Sequence, residues 1–347
     1  MNHPDHHTPE SLFEKLRKVQ AGGCAVNLER CRAIAPIVNE ILDLKREKNA
    51  VILAHSYVSS EIVYGVADFT GDSYKLAKDA LGARASTIVF AAVKFMAETA
   101  KILNPERTVL VPNELNGCSL ADAITGAKVR ELRAAHPDHA FLCYINTTAD
   151  VKAECDVCVT SSNVHDIVER HPSKKIFFVP DRLMGLNILD EMKRRGVEKE
   201  ILLYDGTCYV HETYDALAVF SLRQKYPGLK VLAHPECKPE VARAADFMGS
   251  TAEMLKYVKA APEETYLMLT ECGLSNRLEV EVPRAKFVGS CTLCKYMKAN
   301  TLSDVLRVLK SPRPQDAISI EEGVRLRAKK CIDAMFDYAE KGSGALG

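Results

Sequence analysis

The sequence predicts an α/β protein made of three similar parallel-sheet αβα domains around a pseudo-threefold axis, with helical segments at both ends. Three observations predict it. Short apolar runs of the kind that form strands buried on both faces recur in the same order three times, at a period of roughly 90 residues. Amphipathic segments with polar starts, such as Ser73-Tyr-Lys-Leu-Ala-Lys-Asp-Ala-Leu81, lie between the runs and suit crossover helices. Polar residues follow the runs at matching places in all three copies.

Taken in order, residues 1–35 form a leader, with helix expected over about 10–47. The three repeats then span 36–128, 129–213 and 214–301, and helices within 302–347 are expected to pack on the first repeat. The first strand of each copy is Val51-Ile-Leu-Ala-His55, Phe141-Leu-Cys-Tyr144 and Val231-Leu-Ala-His234, each preceded by breaker residues such as His136-Pro-Asp138 and Tyr226-Pro-Gly228. The second element is Ala67-Asp-Phe-Thr-Gly-Asp-Ser73, Asp156-Val-Cys-Val-Thr-Ser-Ser162 and Ala245-Asp-Phe-Met-Gly-Ser-Thr251. The third is Ile88-Val-Phe, Ile176-Phe-Phe and Tyr266-Leu-Met; the fourth is Thr108-Val-Leu-Val, Ile201-Leu-Leu-Tyr and Phe287-Val-Gly. Agreement of four elements across three copies argues against chance registration.

Composition narrows the function. The 347 residues carry 46 Lys+Arg and 46 Asp+Glu, a net charge of zero, which argues against nucleic-acid and membrane-surface partners. The apolar run near Thr87-Ile-Val-Phe-Ala-Ala-Val is cut by Lys94, well short of the ~20 residues of a membrane span. The N-terminus does not read as a secretory signal, so a cytoplasmic protein is expected. There the 12 cysteines read as core residues, catalytic groups or metal ligands rather than disulfides. His3, His6 and His7 read as a frayed, solvated tail rather than a chelating set.

Ligands of parallel α/β units bind beyond the carboxyl ends of the strands. After the first strands come His55-Ser-Tyr57, Tyr144-Ile-Asn146 and His234-Pro-Glu236. After the second come Gly71-Asp-Ser73, Thr160-Ser-Ser162 and Gly249-Ser-Thr251, where hydroxyls beside free helix N–H groups suit an anion, although each taken singly reads as an N-cap. After the fourth, each copy has a cysteine: Cys118, Cys208 and Cys294, spaced 90 and 86 residues apart. Three convergent thiolates without a fourth equivalent suit a metal with one open position, either zinc with a water or a cubane iron-sulfur cluster; the spacing does not choose between them. Cys155 and Cys158 flank a strand and read as core.

These residues resemble quinolinate synthase, the family that makes the pyridine ring for NAD biosynthesis. The likeness covers about residues 35–340 and rests on Ala54-His-Ser-Tyr57, Gly71-Asp-Ser73, Phe95-Met-Ala-Glu-Thr-Ala-Lys-Ile-Leu103, Cys118-Ser-Leu, Tyr144-Ile-Asn-Thr147, Val159-Thr-Ser161, Cys208-Tyr-Val-His211, His234-Pro-Glu-Cys237, Gly249-Ser-Thr251 and Cys294-Lys-Tyr-Met-Lys-Ala-Asn-Thr-Leu302. The resemblance implies a [4Fe-4S] cluster on Cys118, Cys208 and Cys294. It implies a substrate site of His55, Ser73, Tyr144, Asn146, Ser161, His234, Glu236 and Thr251. The implied reaction condenses iminoaspartate with dihydroxyacetone phosphate to quinolinate, releasing phosphate and water, with the open iron as Lewis acid and Glu236, His234 and Tyr57 moving protons. A functional link to an oxidase that produces iminoaspartate follows from the same likeness. Cys291 is read as a spare thiol beside the last ligand or as a reversible disulfide partner of Cys294. The rival readings are another cluster-dependent dehydratase or reductase, and a non-enzymatic iron-sulfur sensor.

Overall fold

A computed structural model describes residues 6–20, 25–289 and 292–343. The chain enters through α1 (Pro9–Leu16) and α2 (Leu28–Glu47), capped by the side chains of Thr8 and Asn27. Of the three N-terminal histidines, His3 lies outside the described residues, and His6 and His7 are not a solvated tail: the His6 Nε2 lies 2.9 Å from Asp43 Oδ1 and the His7 amide donates to Asn39, so both dock on α2.

The first unit runs β1 (Ala50–His55), α3 (Ser60–Gly65), β2 (Phe69–Gly71), α4 (Ser73–Gly82), β3 (Thr87–Ala91), α5 (Lys94–Leu103), β4 (Thr108–Leu110) and α6 (Ser119–Asp122). The second opens with α7 (Gly126–Ala135) and repeats the pattern through β5 (Ala140–Tyr144), α8 (Ala149–Lys152), β6 (Val157–Val159), α9 (Val164–Arg170), β7 (Lys175–Val179), α10 (Arg182–Arg194), β8 (Glu200–Leu203) and α11 (Tyr209–Glu212). The third begins at α12 (Ala216–Lys225) and continues through β9 (Lys230–Ala233), α13 (Pro239–Ala244), β10 (Phe247–Met248), α14 (Thr251–Ala260), β11 (Thr265–Leu269), α15 (Cys272–Glu281), β12 (Lys286–Val288) and α16 (Lys295–Lys298). Two helices close the chain, α17 (Leu302–Lys310) and α18 (Glu322–Ser343).

Each unit holds one four-stranded parallel sheet, with strand orders β2-β1-β3-β4, β6-β5-β7-β8 and β10-β9-β11-β12. The first strand of each copy is therefore central, which is why it is apolar on both faces. Most of the buried apolar side chains form one cluster, while Val219, Val231, Val241 and Leu267 belong to a second cluster within the third unit. Among the described residues no helix is long and apolar enough to cross a membrane.

The aspartate that recurs in the sequence has one job three times. Asp68, Asp156 and Asp246 each accept the backbone N–H of the neighbouring central strand, at Ile52, Phe141 and Val231, all at 2.7 Å. Each also holds a basic side chain of the preceding helix, Lys45, Arg133 or Arg223. The carboxylate thus fixes the edge strand and the helix to the centre of the sheet. Asp156→Ala leaves the Phe141 amide without its side-chain acceptor and is expected to lower stability by about 1–3 kcal/mol, read from urea denaturation.

The C-terminal helices divide their packing. Helix α17 lies on α2 and β3, but α18 lies chiefly on α8 and β6 of the second unit and to a lesser, equal extent on α9 and on α5. Its buried Ala328, Cys331, Ile332 and Met335 belong to the main apolar cluster.

Candidate active site and cluster site

The strand ends of all three units face one cavity of about 80 Å³. The first unit contributes His55, Tyr57, Ser73 and Cys118. The second contributes Tyr144, Asn146, Ser161 and Cys208, and the third His234, Glu236, Thr251 and Cys294. Every site residue expected from the sequence therefore meets in one place. Among the described residues, no lysine or arginine lines the cavity, so an anion inside it is met by neutral O–H and N–H donors.

The cavity-lining hydroxyls of Ser73, Ser161 and Thr251 are not helix caps. Asp72 caps α4 and Ser250 caps α14, with Ser250 and Glu253 forming a capping box. Ser73 and Thr251 are the first helical residues instead, which leaves their hydroxyls free to turn inward. In the second unit α9 begins only at Val164, so Ser161 sits in the preceding turn, where Asn163 accepts the Thr160 amide.

The three expected metal ligands have matching surroundings. Cys118, Cys208 and Cys294 directly precede α6, α11 and α16, and backbone N–H groups of those helical turns point at their sulfurs. Burial pushes the Cys118 thiol up to about 12, against two backbone donors, and raises the other two as well. A site of three equivalent, half-buried cysteines with amide donors fits a thiolate-held metal or cluster, because a bound cation stabilises thiolates that burial disfavours. Cys294 is a free thiol, and Cys291 lies outside the described residues.

A hydrogen-bonded chain runs through the cavity wall. The Tyr57 hydroxyl lies 2.9 Å from Thr251 Oγ1 and 2.6 Å from Thr270 Oγ1. Thr270 Oγ1 in turn lies 3.1 Å from His211 Nε2, and His211 Nδ1 lies 3.0 Å from Glu236 Oε2. The other Glu236 oxygen accepts the Tyr144 hydroxyl at 2.7 Å. An ionised Glu236 assigns the directions: His211 donates from Nδ1, so its Nε2 accepts from Thr270, and Thr270 accepts from Tyr57. Burial pushes Glu236 up, but the His211 imidazole and the Tyr144 hydroxyl outweigh it and hold the carboxyl below its ordinary range. Burial raises the Tyr57 and Tyr144 phenols, which therefore enter as proton donors.

His211 and Thr270 were not among the expected site residues. His211 carried a signal, since it stands three residues after Cys208 and so shares a face with it at a helix start. The Cys208 sulfur and one atom each of His211 and Glu236 lie within 4.8 Å of one another, a mixed donor set of the kind zinc also accepts. Glu271 was missed too. It is fully buried, accepts the Cys294 amide at 3.1 Å and pairs with Lys298, whose ammonium also donates to the Tyr57 carbonyl at 2.5 Å.

Burial pulls the His55 and His234 imidazoles down to about 3, helped at His55 by the Arg277 charge and at His234 by His211. Between about pH 6.5 and 3 the unfolded chain takes up protons at these two positions that the folded chain refuses, so stability falls as pH drops through that window. The urea midpoint is expected to decrease steadily from about pH 7 to about pH 4.5, and His234→Asn should flatten that slope; a flat profile in the parent chain contradicts neutral, buried imidazoles.

Comparison with known proteins gives a consistent picture. Residues 39–337 match the model of the family described as "Quinolinate synthetase A protein". The chain is 43% identical over 299 residues to "Quinolinate synthase" of Xylella fastidiosa strain Temecula1, an overlap of 86% of each chain. It is 43% identical over 304 residues to "Quinolinate synthase 2" of Mesorhizobium japonicum, spanning 88% of this chain and 92% of that one. It is 41% identical over 310 residues to "Quinolinate synthase" of Caulobacter vibrioides, spanning 88% and 83%.

Proposed function

The chain belongs to the quinolinate synthase family, and from that premise we propose that it condenses iminoaspartate with dihydroxyacetone phosphate to quinolinate, releasing phosphate and water. The observation that carries the reading is the meeting of three half-buried cysteines and a hydrogen-bonded chain of side chains in one cavity. The atoms balance without an external oxidant or reductant, so the residues must move protons and hold anions rather than pass electrons.

Cys118, Cys208 and Cys294 hold a [4Fe-4S] cluster in this reading, which supplies a Lewis-acidic iron to a substrate oxygen. Ser73, Asn146, Ser161 and Thr251 bind the carboxylates or the phosphate through neutral donors, and His55 and His234, both uncharged, complete the wall. Tyr57 delivers and recovers protons at the substrate. Its proton passes by way of Thr270 and His211 to Glu236, which is ionised at rest. Tyr144, whose phenol donates to Glu236, leaves its oxygen as an acceptor toward the cavity. An oxidase is the class of enzyme that would supply the unstable imine.

Oxygen-free purification followed by elemental analysis and turnover tests the reading. Iron and sulfide near four each per chain, with quinolinate formed from the two named substrates, are expected. A fully loaded chain that forms no quinolinate overturns the activity, and one zinc in place of iron and sulfide overturns the cluster.

A further inference from the structure

The turn after the first strand is held by the same device in two of the units, with different chemistry. In the third unit the Asn187 side-chain amide donates to the carbonyls of Pro235 and Cys237, at 2.7 and 2.8 Å. These residues flank Glu236, which lines the cavity. In the second unit the Lys152 ammonium donates to the carbonyls of Ile145, at 2.9 Å, and Thr147. These flank Asn146, which matches Glu236 in the repeat and also lines the cavity. One clamp is a neutral amide behind an anionic side chain, and the other is a cation behind a neutral one. Holding the turn therefore does not in itself call for a charge.

Lys152 is fully buried at the end of α8, where the repeat places Tyr64 in the first unit and Ala242 in the third. Its acceptors are all uncharged oxygens, the third being Thr147 Oγ1 at 3.4 Å. The ammonium also lies 5.5 Å from the centre of the Phe95 ring, another lining residue of the cavity. Glu98 feels this charge, yet burial outweighs it and leaves that carboxyl above its ordinary range, with one oxygen taken by the Ala149 amide. A buried ammonium held only by carbonyls and a hydroxyl loses its hydration without the return of a hydrogen-bonded ion pair. An anion bound in the adjoining cavity supplies the missing partner.

We propose that Lys152 is the positioning and specificity residue of the second unit's anion site: it fixes Asn146 toward the cavity through the carbonyls on either side, and its charge, just behind the wall, selects an anionic group, a carboxylate or a phosphate, at Asn146. This rests on the reaction proposed above, in which both substrates and the product are anions. It accounts for an anion site in a cavity whose described lining holds no lysine or arginine. A charge kept away from water acts across such a layer more strongly than a surface charge would. The neutral donors supply geometry, and Lys152 supplies the sign.

Two neutral variants of the full-length, cluster-loaded chain test this. Lys152→Gln keeps a donor of the kind that Asn187 provides, and Lys152→Met keeps the shape but no donor. The probes are quinolinate, its uncharged diamide and inorganic phosphate, each titrated by calorimetry. In Lys152→Gln, quinolinate or phosphate is expected to bind at least about tenfold more weakly, while the diamide stays within about threefold of the parent. Loss for quinolinate assigns the carboxylate to Asn146, and loss for phosphate alone assigns the phosphate. Lys152→Met should lose the same anion and, without the clamp, kcat as well. Iron content and circular dichroism like the parent's establish that each variant is folded. The proposal is overturned if either folded variant binds both anions as the parent does, or if Lys152→Gln loses the diamide as much as the anions, since Lys152 is then a clamp alone. A parent chain that forms quinolinate but prefers neither anion to the diamide overturns this proposal and spares the activity; a loaded parent that neither forms nor binds quinolinate overturns both.

Discussion

Cys118→Ala, Cys208→Ala and Cys294→Ala are each expected to yield a soluble chain that lacks the brown chromophore and forms no quinolinate, a loss on the order of 10³-fold or more. Each sulfur comes from a different unit and sits at the start of a short helix. Two remaining thiolates cannot retain a cubane whose fourth corner is already open. The effect should be local, because the three cysteines lie in loops beyond the sheets and only border the main apolar cluster. Cys155→Ala and Cys158→Ala serve as the controls: they should keep chromophore and turnover, measured by visible absorption, iron content and product formation. Equal loss across all five would indicate general misfolding and remove the assignment of ligands.

Glu236→Gln should lower kcat by about 10²–10⁴-fold with a much smaller change in KM. The amide still fills the space and can still accept from Tyr144, but it has no charge and adds donors of its own. It no longer fixes which nitrogen of His211 carries the proton, so the Thr270 hydroxyl loses a dependable acceptor and Tyr57 loses its route for a proton. His211→Ala should produce a comparable fall, and the double variant should be little worse than either single one, since both interrupt the same chain. Turnover of Glu236→Gln within threefold of the parent would show that Tyr57 exchanges protons by another path.

The sheets were legible because their determinants are local. A central strand of a parallel sheet is apolar on both faces over four to six residues, and repetition at a fixed period identified which runs were equivalent. The same repetition picked out Cys118, Cys208 and Cys294 and the residues after the first and second strands. The third strands were not read in this way, and that is where Thr270 and Glu271 lie. The rest depended on contacts that no local pattern encodes. Tyr57 meets Thr270 across 213 residues of sequence, and Cys143 meets Cys331 across 188. The docking of α18 on the second unit follows from its buried face, whose partner only the folded chain identifies. Ser73 and Thr251 looked like caps because a hydroxyl at a helix start usually is one; the neighbouring Asp72 and Ser250 had already taken that role.

The chain of hydrogen bonds has no owner among the three units. Tyr57 belongs to the first, Tyr144 and His211 to the second, and Thr251, Thr270 and Glu236 to the third. Any parting of the units wide enough to admit substrate separates Tyr57 from Thr270, or His211 and Tyr144 from Glu236. In the proposed reaction, proton traffic is then an interlock that operates only when all three walls are in register.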